Sequence, residues 1–193
     1  SGGSWDDRTA FEPLGLASGV IHVPADRDAY LQAHSSIEPQ QLRYVLNLQP
    51  DDLAAISLRG TRVSSGDISN LARLTGLVRL ALSFTDIDDE ALNHVGKLVN
   101  LRQLYLAGTR VSSNGLEQLG YLSELHRLSL ALTPVADHGL ESIRSLAKLE
   151  WLSLGDQITD IGMTHIASLK KLCQLDLPSK NITDDGIAEL EGL

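Results

Sequence analysis

The sequence predicts an α/β solenoid, with a parallel sheet on one face and short helices on the other, and three observations carry that expectation. A frame of three apolar residues at spacings of three and two returns six times, as Leu53/Ile56/Leu58, Leu77/Leu80/Leu82, Leu101/Leu104/Leu106, Leu125/Leu128/Leu130, Leu149/Leu152/Leu154 and Leu172/Leu175/Leu177. Successive copies begin 24, 24, 24, 24 and 23 residues apart. A fixed period in the twenties marks stacked supersecondary units that share one continuous core. Finally, the chain is 42% hydrophobic but only 4% aromatic, as expected where every turn offers its neighbours the same modest apolar volume.

The 193 residues suffice for one domain of ordinary size. A formal net charge of −9 argues against nucleic acid as a partner, because phosphate binding needs a basic face. The single cysteine, Cys173, leaves no intrachain disulfide, which favours a reducing compartment and a cytoplasmic location. No run of about 18 apolar residues is present, so no membrane-spanning helix is expected. A phosphate-binding glycine loop, a paired-cysteine metal site and a Gly-x-Ser-x-Gly elbow are all missing. The expectation is therefore a non-catalytic protein with no cofactor and no metal.

Taken in order, residues 1–18 show no period and read as tag or tail, with Trp5, Phe11, Leu14 and Leu16 available to pack on the first turn. Residues 19–24 have strand composition bounded by Gly19 and Pro24. Pro24 to Ala33 reads as a short helix with acidic residues in its first turn. Ile37, Leu42, Val45 and Leu48 repeat the offsets of later repeats, with a helix starting near Pro39. Residues 19–52 thus form an N-terminal cap with a partial repeat, and the regular array runs over 53–193, its last repeat incomplete.

Each repeat divides into three parts. A short strand sends Leu104 and Leu106 inward and Gln103 and Tyr105 outward. A turn follows, carrying Thr61, Thr85, Thr109 or Thr133, whose hydroxyl is placed to satisfy backbone groups as the chain leaves the strand. Ser64, Asp88, Ser112, Thr159 and Thr183 then stand at N-cap positions, with Ala136 the exception. Gly115, Gly139, Gly162 and Gly186 lie in the first helical turn, where they lower helix propensity and allow close approach of the neighbouring repeat. Apolar residues at every third position, as in Leu116, Leu119 and Leu122, predict about two turns of mixed α and 3₁₀ helix.

The pattern Leu-x-x-Leu-x-Leu-x-x-Thr-x-Val/Ile-Thr/Ser-Asp-x-Gly-Leu over residues 53–193 resembles the leucine-rich-repeat superfamily, in the subclass found in bacterial repeat proteins and some F-box proteins. The resemblance implies a right-handed horseshoe with a concave parallel sheet of about six strands. Three departures predict irregularity in the last two repeats: a one-residue deletion before Gln157, Lys180 in place of the threonine, and Pro178 after the last strand.

The outward residues of the strands define the candidate surface. One column reads Ala55, Arg79, Gln103, Arg127, Trp151 and Gln174; the next reads Ser57, Ala81, Tyr105, Ser129, Ser153 and Asp176; a third reads Arg59, Ser83, Ala107, Ala131, Gly155 and Pro178. Arg79, Gln103, Tyr105, Arg127 and Trp151 rise from a floor of small residues, with the loop residues Phe84 and Leu132 on its rim. Trp, Tyr and Arg are enriched in interface hot spots. The expected function is binding of a protein or peptide, such as a helical, acidic segment, through this face. The alternatives are self-association through the solenoid ends, since no capping helix follows Leu193, and a recognition domain cut from a larger protein. His126, Glu150 and Cys173 share one repeat position and form a weaker, zinc-like column.

Overall fold

The computed structural model describes residues 30–32, 42 and 48–193. Seven strands, β1 (Tyr30–Gln32), β2 (Ala55–Ser57), β3 (Arg79–Ala81), β4 (Gln103–Tyr105), β5 (Arg127–Ser129), β6 (Trp151–Ser153) and β7 (Gln174–Asp176), form one parallel sheet in sequence order. The six expected strands are β2 to β7. Their register is that of the leucine frame, with Ile56, Leu80, Leu104, Leu128, Leu152 and Leu175 side by side.

Strand β1 corrects the helix expected over 24–33. Tyr30–Gln32 is extended and pairs with β2, Leu31 beside Ile56. The leucine frame is degenerate here, reading Asp28-x-x-Leu31-x-Ala33, so only one of its three positions is a large apolar residue. Local helical composition lost to the parallel ladder that β2 offers. The packing of Trp5, Phe11, Leu14 and Leu16, the strand at 19–24, Ile37, Val45 and the helix start near Pro39 lie outside the described residues. Leu42 and Leu48, from the partial repeat, are buried.

The return segments are short, as the period of three predicts. They comprise α1 (Ser65–Ile68) running into a 3₁₀ segment at Ser69–Arg73, α2 (Asp89–Val95), a 3₁₀ segment at Ser113–Tyr121, a 3₁₀ turn at Asp137–Gly139 leading into α3 (Leu140–Ile143), α4 (Asp160–Ile166), a 3₁₀ turn at Ser179–Asn181 and α5 (Asp184–Ala188). No described helix is long and apolar enough to cross a membrane. Between sheet and helices, one core of inward leucines, isoleucines and valines runs from Leu31 to Leu172. Each such side chain, fully buried, contributes about 2 kcal/mol of transfer free energy.

Two polar ladders run along the array, the first closing the turn within each repeat and the second holding neighbouring repeats in register. In the first, the hydroxyls of Thr61, Thr85, Thr109 and Thr133 donate to the carbonyls of Leu58, Leu82, Leu106 and Leu130 at 2.6–2.7 Å, as the sequence predicts. The second was only half visible in the sequence. Asp89 accepts both the N–H and the hydroxyl of Ser112 in the next repeat, at 2.7 and 2.6 Å. Asp137 does the same for Thr159 at 2.9 and 2.7 Å, and Asp160 for Thr183 at 2.8 and 2.7 Å. These aspartates face the helix N-terminus, as acidic residues there should, and each also clamps one repeat to its successor. Ala136, the turn without a capping side chain, has its N–H taken by the hydroxyl of Ser113 at 2.9 Å. The one-residue deletion changes the connection at Asp156, which pairs with Lys180 at 2.7 Å and accepts the Asn181 amide on its carbonyl.

Acidification should loosen the Asp160 clamp and the bond from the Ser65 hydroxyl to Asp88 in the next repeat. The Thr183 hydroxyl and then its N–H hold the Asp160 carboxyl below the ordinary aspartate range, and the Ser65 hydroxyl does the same for Asp88. A depressed native pKa contributes stability that is fully present above the unfolded value, near about 4, and is lost as pH falls through the lower native value. The melting temperature is therefore expected to be flat above about pH 5 and to fall below about pH 4. Asp160→Asn should shrink the fall, and an identical acid profile for that variant would remove Asp160 from the account.

Candidate interaction face

The register places the outward residues in two rows. Tyr30, Ala55, Arg79, Gln103, Arg127, Trp151 and Gln174 form one, and Gln32, Ser57, Ala81, Tyr105, Ser129, Ser153 and Asp176 the other. All five strand residues expected on the face, Arg79, Gln103, Tyr105, Arg127 and Trp151, stand there. The floor is built as expected too: Ala55, Ser57, Ala81, Ser129 and Ser153 are buried. Tyr30 and Gln32 were missed because their strand was read as helix.

The aromatic residues meet across a strand. Tyr105 on β4 and Trp151 on β6 sit with ring centroids 6.2 Å apart and planes tilted by 47°, meeting across β5, whose outward residues are Arg127 and Ser129. This lies within the range where tilted aromatic pairs attract. Both rings are anchored at their polar ends. The Tyr105 hydroxyl donates to the Gln103 side chain at 3.1 Å, and the Trp151 indole N–H donates to Asp176 at 3.0 Å. Gln174 donates to the same Asp176 carboxylate at 3.2 and 3.3 Å. Asp176 thus fixes the tryptophan from the neighbouring strand, a role that its column alone did not reveal. Arg127 is exposed between Gln103 and Trp151, and its guanidinium makes no hydrogen bond or ion pair among the described residues, although its backbone N–H donates to the Arg102 carbonyl at 3.0 Å.

Phe84 and Leu132 take up the same place in their repeats as Gly60 and Gly108. All four have positive φ, at 58°, 55°, 67° and 66°. The turn needs the left-handed conformation because its N–H donates to the next repeat: Gly60 to Ser83, Phe84 to Ala107 and Gly108 to Ala131, at 2.8–2.9 Å. A bulky side chain there is strained. Phe84 recovers part of that cost, since its ring lies where a side chain on Gly108 would be and the Arg59 guanidinium sits 4.6 Å from its centroid. Leu132 is 73% exposed. The two expected rim residues are thus one structural position used twice.

The weaker column does not gather into a site. His126 directs a ring nitrogen to the carbonyl of Glu124 at 2.7 Å, and the Cys173 thiol donates to the carbonyl of Glu150 at 3.3 Å. No group of three histidine, cysteine, aspartate or glutamate side chains converges among the described residues.

A parallel strand, a threonine-closed turn and a short return helix, repeated over one leucine core, define a leucine-rich-repeat solenoid. Among solved structures the chain is similar to internalin C2 of Listeria monocytogenes strain 4b F2365, with a TM-score of 0.63 and 25% identity over 86% of this chain and 66% of that one. Its likeness to the internalin InlF of the same strain, with a TM-score of 0.59 and 20% identity over 86% of this chain and 52% of that one, shows the fold alone. The chain therefore spans about two thirds and half of these structures. No family model and no curated protein matches it.

Proposed function

We propose that the chain is a non-catalytic interaction module that binds a protein or peptide through the exposed face of its sheet. The observation that carries this reading is the anchored Tyr105–Trp151 pair beside the exposed Arg127. Aromatic side chains held rigid on a small-residue floor lose little entropy when a partner covers them, and arginine is enriched with them in interface hot spots. Solenoids present surface rather than a deep pocket of converging polar groups, which favours binding over catalysis.

Affinity capture from the native cell, repeated with variants, tests the reading. Trp151→Ala is expected to weaken retention of a captured partner by more than about 1 kcal/mol. Glu141→Ala, an exposed change on the helical side, should leave it unaltered. If Trp151→Ala and Arg127→Glu both bind like the wild type, the site lies elsewhere.

A further inference from the structure

The strip just beyond the strands specifies what kind of partner this face fits, an inference that rests on the interaction reading above. Ser83, Ala107, Ala131 and Gly155 succeed one another across four neighbouring repeats, all small. Along the direction of the parallel strands the aromatic pair and Arg127 precede this strip, and the left-handed Leu132 directly follows it. The only carboxylate in the two outward rows is Asp176, and the Trp151 indole and Gln174 already occupy it. Among the described residues the Arg127 guanidinium therefore has no ion-pair partner, on a chain of net charge −9. The charge that complements this face is negative, against the sign of the molecule as a whole.

We propose that the strip takes a short extended segment of a partner protein, running across the strands, with a carboxylate side chain on Arg127 and an apolar side chain against Leu132. Four strands span roughly 14 Å, which an extended chain covers in about four or five residues. Arg127 and Leu132 belong to the same repeat but lie on opposite sides of the strip. Successive side chains of an extended segment point opposite ways, so the acidic and the apolar residue are neighbours in the partner's sequence. Sequence reasoning alone left the partner as a helical, acidic segment; the narrow strip between its two flanks favours the extended form.

The test pans a displayed library of random dodecapeptides against the whole chain. Enriched peptides are expected to carry Asp or Glu next to Leu, Ile, Val or Phe. Arg127→Glu should lower the affinity of an enriched peptide about tenfold, and replacing the peptide's acid with Lys should restore binding to that variant but not to the wild type. Enriched peptides that lack an acid, or that lose affinity with Trp151→Ala but not with Arg127→Glu, would overturn the acidic segment and leave the face intact. Peptides indifferent to both substitutions would overturn the face as well. A library that yields no binder overturns the proposal too, because a segment of this length must suffice.

Discussion

Gly115→Ala is expected to lower the stability of the chain by about 2 kcal/mol, although alanine is the better helix former. In an open helical position the exchange stabilises by roughly 0.5–1 kcal/mol, because glycine loses more backbone entropy on folding. At position 115 an added Cβ would meet the Asp89 carboxylate at 2.5 Å and a Leu92 methyl at 3.0 Å. That carboxylate cannot swing aside cheaply, since it holds the N–H and hydroxyl of Ser112, and a hydrogen bond to a charged group contributes about 1.5–3 kcal/mol. Gly66→Ala supplies the contrast. Nothing lies within 4 Å of a Cβ there, so that variant should gain about 0.5 kcal/mol or more. Denaturant midpoints of both variants read the difference. A cycle with Asp89→Ala isolates the cause: the double variant should lose less than the sum of the single ones by at least about 0.5 kcal/mol. Strict additivity, or a Gly115→Ala as benign as Gly66→Ala, would separate the glycine from the clamp.

This coupling marks the boundary of what the sequence discloses. The leucine frame, the threonine turn and the capping positions were legible because each depends on a residue's own repeat. The glycines were legible as signs of close approach, but the group approached was not. An aspartate in the first helical turn has a sufficient local explanation in the helix dipole, and its bond to a residue 22 or 23 positions later appears only once the repeats are stacked. Gly162 and Gly186 follow the same rule, each with an aspartate of the preceding repeat where its Cβ would stand. At β1 the reading failed for a different reason. The strand follows from the ladder that β2 offers, whereas two of the three leucine positions hold Asp28 and Ala33. On the sheet face, the columns identified the five outward residues, yet the Trp151–Asp176 bond joins different columns on different strands and has no signature along the chain.

Leu132→Gly is expected to raise stability by about 0.5–1 kcal/mol and the melting temperature by a few degrees, while removing an apolar contact from the proposed strip. The left-handed conformation costs a residue with a Cβ about 1–2 kcal/mol, and φ at Leu132 is 55°. Glycine escapes that cost, and the gain is reduced by about 0.5–1 kcal/mol because its unfolded chain is freer. Little packing opposes the gain, since the side chain is 73% exposed. Phe84 shares the backbone conformation but should respond with the opposite sign. Its ring rests on Gly108 and beneath the Arg59 guanidinium, and a cation–π contact of about 0.5–1 kcal/mol together with the covered apolar surface outweighs the relief of strain. Thermal melts of the two glycine variants decide the matter. A leucine that strains its backbone and leaves most of its side chain in water has its use outside the fold, as strained residues at binding sites do. If Leu132→Gly melts lower than the wild type, the side chain supports the turn instead, and the flank that it gives to the strip falls with it.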